Sequence, residues 1–464
     1  MAVNGAEDRR LMNRHRLFVI ALAVALVVAL AAPSLPKAEA AGASFVITTL
    51  ETLRHHYVDQ VSAVALLNAA LASVAQRAGV VPFDGPIPSG TADERAAGLF
   101  TQRFDEIVSR VDGRYSATDL AYSAAAGMLE SLHDSHTGFI PPATYQEEKR
   151  KENGEAAFTG IGIVLMSRDG TYYVREVFPG SPAAKAGLKP FDRIVQIDGR
   201  STKGLASDEV SGSIRGQAGT TVVLTIERAE AGSPLDLPVV RGPIHIPGLA
   251  SRMLDSGPDD IGYIKIYEFV PGVSGALRNA ILALRRSGLR ALVLDLRGNP
   301  GGLVDELRDI SAALLPQNSP ILRMTSRNGR TMLMETLEPP ILPTTVPMVA
   351  LVDEGSASAS ELLAAALQER GRALIAGTKT AGAVEIGITV DLPEDAGLAV
   401  TVARLLSGNG VRLEGRGVVP DEVQSLETAA INLGRDSQVD RALTLLKEKL
   451  SQAGRSGAVP ASAF

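Results

Sequence analysis

Three serines at alternate positions, Ser356, Ser358 and Ser360, crowd the segment DEGSASASELLAAALQERG, between an apolar run and an alanine-rich helical pattern. A serine at a strand-to-helix turn is a candidate nucleophile for acyl transfer, provided that donors nearby can hold the oxyanion that forms. The same residues have a plainer use, because Ser358-Ala359-Ser360-Glu361 fits the S-x-x-E pattern in which a serine caps its own helix. A second stretch, Asn299-Pro300-Gly301-Gly302, follows another apolar run. Its glycines can aim backbone N–H groups at an oxygen that acquires charge, or can simply form a turn. A serine hydroxyl also needs a base, and histidine is the commonest one. The chain has six. His15 lies near the N-terminus, His55 and His56 in a helical pattern, and His245 between two modules, while His133 and His136 share the stretch LHDSHTGF. None shows a metal-ligand spacing such as H-E-x-x-H, so neither a metal site nor a cofactor is expected. Cysteine is absent, which excludes thiol nucleophiles, disulfides and thiolate metal sites.

These residues need a body to position them. With 464 residues, 45% of them hydrophobic and 21% charged, the chain is long and apolar enough for two or three globular modules. A net charge of −6, with no basic block after residue 16, argues against a nucleic-acid partner. Arg9, Arg10, Arg14 and Arg16 precede an apolar run from Leu17 to Ala32, and Ala38-Glu39-Ala40 offers small residues for cleavage. This pattern predicts an export signal, with an uncleaved membrane anchor as the alternative, and puts the body in the periplasm or another extracytoplasmic space.

Along the body the hydrophobic period changes. Helical spacing runs from Ser44 to about Ala78, resumes after a Pro/Gly-rich loop at 81–90 through Leu99, Phe104 and Ile107, and returns over Ser116–Leu132. Pro141 and Pro142 are expected to stop any helix there, and the charged run at 145–155 reads as a polar linker. Strand patterns follow at 158–166 and 171–178 around the turn Arg168-Asp169-Gly170, then a short helix and strand within 180–199, then a strand at 222–228. Beyond 262, apolar strands alternate with helices, which indicates an α/β sheet covered on its faces.

The second of these regions resembles a PDZ domain. Gly160-Ile161-Gly162-Ile163 matches the loop that receives a ligand's terminal carboxylate, and GSPAAKAGLKPFDRI with the closing strand stands at compatible distances. The order of helical region, PDZ module, LVLDLRGNPGG, GSASASE and GVVPD resembles the carboxy-terminal processing protease family of serine endopeptidases over roughly residues 45 to 425. The resemblance implies an α/β protease core, a mixed sheet with helices on its faces, an N-terminal helical region and an inserted mainly-β PDZ domain. The expected boundaries are a signal peptide or anchor at 1–40, the helical region at 44–150, the PDZ domain at 156–242, the core at 243–428, a C-terminal helix at 429–452 and a flexible tail at 453–464.

By that resemblance the nucleophile is Ser358, and the N–H groups of Ala359 and of Gly301 or Gly302 form the oxyanion hole. The family's usual partner is a lysine 25 residues beyond the nucleophile, where this chain has Ala383. Lys379 lies four residues earlier, about 13 Å along an extended segment. A related tricorn protease class uses a Ser-His pair and a glutamate instead, and Ser135-His136 and Glu414 match those three. The implied relay runs from Glu414 through Ser135 and His136 to Ser358. The plainer alternatives are a turn histidine stacked under Phe139 and a surface Glu414 paired with Arg412 or Arg416. The function implied is a serine endopeptidase acting on exported polypeptides, with their C-termini received at Gly160, Ile161, Gly162 and Ile163. A catalytically inactive, peptide-binding pseudoprotease is the alternative.

Overall fold

The computed structural model describes residues 42–80, 85–111, 113–152, 159–255 and 259–455. The expected leader lies outside them, as do parts of the loop at 81–90 and of the tail. Among the described residues no helix is long and apolar enough to cross a membrane.

The N-terminal region is a bundle of four helices, Ala43–His56, Ala63–Ala78, Asp93–Ser109 and Ala117–Glu130. Their apolar faces meet in one core around Leu53, Leu67, Phe100, Phe104 and Met128, all 0% exposed. Ser62 and Ser116 cap the second and fourth helices through their side chains. Leu398 and Val400, from a strand far along the chain, close the same core. Contrary to the sequence reading, the run at 145–155 is not simply a linker: a helix spans Pro142–Glu152. Proline suits the first turn of a helix, where its missing N–H is not needed, so Pro142 starts this helix rather than stopping it.

The next module is an antiparallel sheet in the order Ile163–Arg168, Thr171–Val177, Arg193–Ile197, Thr221–Glu227, Leu235–Val240. Asp169 and Gly170 both have positive φ, 50° and 71°, as the tight hairpin turn between its first two strands requires. The fifth strand escaped sequence reading because Pro238 sits in it, which an outermost strand tolerates. The module enters and leaves through a short antiparallel pair, Thr159–Gly160 against Gly242–Pro243.

The third module is built on a six-stranded sheet, Leu249–Asp255, Ile261–Ile266, Ala291–Asp295, Met348–Val352, Leu374–Gly377 and Glu422–Val423 in that order, parallel except for the first pair. Helices Val273–Arg286, Val304–Leu314 and Ala359–Glu369 bury one face. The C-terminal helix Ser437–Arg455 buries the other through Ala442, Leu445, Leu446 and Leu450. At the end of one central strand, Asp295 is fully buried against Arg297, which also reaches Asp436 and Gln438. Burial would raise the Asp295 carboxyl, but the Arg297 and Lys265 cations hold it well below the usual range.

A second sheet joins this module to the helical bundle. Its long strand Gly397–Ser407 pairs with Gly138–Ile140, Ile386–Asp391 and Pro320–Ser326, which pairs in turn with Thr331–Glu335. Thus the segment just after His136 is stitched beside strands of the third module.

Candidate active site

The turn at 353–361 separates its three serines by environment. Ser356 is buried; its Oγ donates to the Leu296 carbonyl at 2.8 Å and accepts the Asp353 N–H at 3.0 Å. Ser360 is buried too, and its Oγ donates to the Asn299 carbonyl at 3.0 Å. Ser358 is only half-buried, and its hydroxyl caps nothing. Half of the expected capping box forms, with the Ser358 N–H meeting Glu361 Oε2 at 3.2 Å. The Glu361 N–H, however, goes to the Ser358 backbone carbonyl, not to its hydroxyl. Ser358 also holds φ 54° and ψ −119°, an unfavourable conformation for a residue with a Cβ, and such conformations cluster at functional sites.

The stretch at 299–302 lies directly against this turn. The Asn299 carbonyl accepts the Ala357 N–H at 3.0 Å, and its side chain accepts the Gly301 N–H at 2.8 Å and donates to the Ile266 carbonyl at 2.9 Å. A Cβ on Gly301 would stand 2.6 Å from Ser358 Cβ and 2.8 Å from the Ala359 nitrogen, so only glycine fits there. Of the two expected glycine donors, Gly301 is already engaged by Asn299. Among the described residues no acceptor meets the N–H of Gly302 or of Ala359.

Glu361 is fully buried and gathers donors from both sides of the site. Besides Ser358 it accepts the N–H groups of Gly382 at 2.7 Å and Ala383 at 2.8 Å, and the Thr380 hydroxyl. The Ala383 carbonyl accepts the Ser358 N–H at 2.8 Å. Position 383 therefore lies beside Ser358, and Lys379 is exposed.

The next two residues belong to a second carboxylate. Glu414 accepts the N–H groups of Val384 at 2.8 Å and Glu385 at 3.3 Å, and the Ser135 hydroxyl at 3.2 Å. Its Oε2 also stands 3.5 Å from His136 Nε2, within ion-pair distance but out of hydrogen-bond alignment, so that this buried nitrogen has no hydrogen-bond partner. Glu414 thus touches Ser135 and His136 side by side, whereas the sequence reading ran through Ser135 to His136 in series. Gly387 lies against the histidine as well: a Cβ there would sit 3.7 Å from the His136 carbonyl oxygen. Residues 382–387 form one bridge, clamped by Glu361 at the serine end and by Glu414 at the histidine end. No hydrogen bond joins Ser358 to His136 among the described residues, and catalytic hydrogen bonds commonly tighten only when substrate binds.

Charges crowd the histidine end. Asp134 accepts the His136 N–H at 2.9 Å. Burial would raise its carboxyl, but hydrogen bonds from the His136 N–H, Thr401, Tyr57 and Thr137 hold it low. Glu385, nearly buried between Arg404 at 3.7 Å and Arg412 at 4.0 Å, is pushed up by burial and by the Glu414 and Asp134 charges, with Arg404 opposing. Sequence reasoning missed Glu385, and it saw Glu361 only as a capping partner. Asp353 was missed too: it receives Gly298 N–H at 2.8 Å and Gly355 N–H at 3.0 Å and pairs with Arg175 of the second module.

In that module, Gly160–Ile163 line a cavity of about 430 Å³ between the strand Ile163–Arg168 and the helix Ser207–Ile214. Gly162 has φ 80°, and a Cβ there would stand 2.4 Å from Ser181 Cβ. The loop keeps the Ile161 and Gly162 N–H groups without an acceptor among the described residues.

A strained serine at a strand-to-helix turn, unengaged N–H groups beside it and a cavity lined by a glycine loop in a neighbouring β module fit a serine peptidase with a substrate-binding domain. Residues 260–424 match peptidase family S41, and residues 173–228 match the PDZ domain. The carboxyl-terminal-processing protease of Picosynechococcus sp. is 33% identical over 333 residues, 71% of this chain and 80% of that one. The carboxy-terminal processing protease CtpA of Bacillus subtilis is 31% identical over 343 residues, 72% of this chain and 71% of that one. Among solved structures, the photosystem II D1 C-terminal processing protease superposes with a TM-score of 0.51 at 25% identity, over 84% of this chain and 96% of that one. The chain belongs to the carboxyl-terminal-processing protease family of serine peptidases and carries the family's PDZ domain.

Proposed function

We propose that Ser358 is the nucleophile and that His136, not a lysine, is its base. The observation that carries this reading is the bridge at 382–387. It bonds Ser358 at the position where the resemblance calls for a lysine, and it bonds Glu414, which meets Ser135 and His136, only a residue or two further on. Glu414, against one ring nitrogen, keeps the proton there and leaves the other nitrogen to accept the Ser358 proton. Ser135 fixes the Glu414 carboxylate. Ser358 Oγ attacks the peptide carbonyl, the C–O bond forms, and the carbonyl electrons move to an oxyanion held by the Gly302 and Ala359 N–H groups. The C–N bond then breaks as His136 protonates the leaving amine, and water, deprotonated by His136, releases the acyl group.

The natural substrates on this reading are exported polypeptides whose C-termini enter the groove at Gly160–Ile163, with the chain itself exported or anchored by its N-terminal segment. The alanine at position 383 is the observation that favours the pseudoprotease alternative, in which the same groove binds peptides without cleaving them. Treatment with a fluorophosphonate probe followed by peptide mass mapping decides between the two. A covalent adduct on the Ser358 peptide, absent from Ser358→Ala, is the expected result. Folded wild-type protein that forms no adduct would establish the pseudoprotease.

A further inference from the structure

The walls of the PDZ groove carry charge at both ends, and the two ends differ in sign. The helix Ser207–Ile214 forms one wall, and both Asp208 near its start and Arg215 just past its end line the cavity. Its orientation is fixed by Arg241, whose guanidinium donates to the Ile214 carbonyl at 2.8 Å and to the Ser213 carbonyl at 2.9 Å. The next residue, Gly242, pairs with Gly160. The end of the helix therefore lies beside the glycine loop, and its start lies at the far end of the groove. A helix normally presents partial negative charge at its C-terminus, which would repel a carboxylate. Here the buried Arg241 covers those carbonyls and the exposed Arg215 adds a second cation, so the loop end is positive. Asp208 makes the other end negative, and among the described residues neither the Asp208 carboxylate nor the Arg215 guanidinium has a salt-bridge or hydrogen-bond partner, the Arg215 backbone N–H alone being engaged, by the Ser211 carbonyl.

We infer that this groove selects peptide C-termini by charge pattern: a free carboxylate paired with Arg215, an apolar last side chain, and a basic residue two places before it, facing Asp208. The inference rests on the proposed reading of the groove as a receiver of substrate C-termini. Asp208 and Arg215 are seven helical positions apart, about 10 Å at roughly 1.5 Å per residue. A strand added along Ile163–Arg168 covers that distance in about three residues at roughly 3.3 Å each, counted from the carboxylate. Because strand side chains alternate, the residue two before the last faces the same wall as the last one. The last side chain meets Phe178 and Ile214; Phe178 is held at the loop by its N–H to the Gly162 carbonyl, 3.0 Å. The residue two before it comes level with the first turn of the helix, where Asp208 stands.

The test is fluorescence anisotropy on the full-length chain carrying Ser358→Ala, so that probes stay intact. Three decapeptides labelled at their N-termini serve as probes: one ending Lys-Ala-Val, one ending Glu-Ala-Val, and the first with its C-terminus amidated. The lysine acid is expected to bind about three- to tenfold tighter than the glutamate acid, the range for a partly exposed charge pair against a like-charge contact. Asp208→Lys should reverse that order. Arg215→Ala should weaken both acids alike and leave the amide unchanged. Equal binding of the two acids, or an unreversed order in a folded Asp208→Lys protein, overturns the charge pattern while leaving the groove a receiver of C-termini. Amide binding equal to acid binding overturns the receiver reading itself.

Discussion

Replacing Glu361 by glutamine tests whether one buried carboxylate sets the geometry of the reaction centre. Its two oxygens divide four donors: Thr380 Oγ1 and Gly382 N–H on Oε1, and Ala383 N–H and Ser358 N–H on Oε2. Glutamine keeps one oxygen and turns an NH₂ group toward the other two donors. The Ser358 N–H keeps the Ala383 carbonyl and the Thr380 hydroxyl can turn to accept, so one buried donor, the Gly382 or the Ala383 N–H, loses its acceptor, at about 1–3 kcal/mol. Global stability should therefore fall by about 1–3 kcal/mol in urea unfolding, read from the midpoint at unchanged slope. Ser358 and the bridge then lose their common anchor. A displacement near 1 Å at a reacting atom costs on the order of a hundredfold in rate, so kcat of the folded fraction should fall about that much with KM little changed. Peptide cleavage assayed well below the unfolding midpoint reads both effects. A variant that loses stability but keeps kcat within about twofold of wild type would refute the clamp as a positioning device and leave it a purely structural one.

Gly301→Ala must displace Ser358, because the new Cβ would lie 2.6 Å from Ser358 Cβ at φ 100°; kcat should drop about a hundredfold or more, and a fully active folded variant would contradict the oxyanion geometry. Ser356→Ala and Ser360→Ala each remove a buried hydroxyl that bonds backbone, so unfolding should show a loss of about 1–3 kcal/mol while the folded fraction still cleaves peptide. Glu385→Gln carries a pH signature. The Glu385 carboxyl is raised in the folded state by burial and then by neighbouring carboxylates, so its folded pKa lies above the unfolded one. Its contribution to stability is thus present below the unfolded value and lost as pH rises through the folded one. The stability of Glu385→Gln relative to wild type should improve between pH 4 and pH 7, and a difference independent of pH would show that Glu385 does not titrate anomalously.

Much of this was legible in the sequence, and what was not follows from distance along the chain. The serine turn and Asn299-Pro300-Gly301-Gly302 are local patterns of glycines and small residues, so type and order alone exposed them. Choosing among Ser356, Ser358 and Ser360 needed the resemblance, since the partners that mark Ser356 and Ser360 as structural, Leu296 and Asn299, sit some sixty residues away. Glu361 looked like a helix cap because its true partners at 380–383 are brought in only by the fold. The Ser135–Glu414 contact spans 279 residues and has no local signal at all. Thr331–Glu335 went unread because its exposed Met332 and Leu333 blur the alternation that marks a half-buried strand, and Pro320–Ser326 because Ile321 and Leu322 are buried side by side. Ile386–Asp391 does alternate, with Ile386, Ile388 and Val390 on the less exposed side, and was overlooked all the same. Pro142 misled because a proline that ends one pattern can begin the next helix.

The pairing of Ser358 with a histidine base is tested most directly by kcat/KM for peptide cleavage as a function of pH in wild type, His136→Ala and Lys379→Ala. A histidine base predicts that Lys379→Ala follows the wild-type curve across the whole pH range and that folded His136→Ala loses about a thousandfold or more at every pH. An alkaline limb that vanishes in Lys379→Ala, with His136→Ala near wild-type activity, would contradict it.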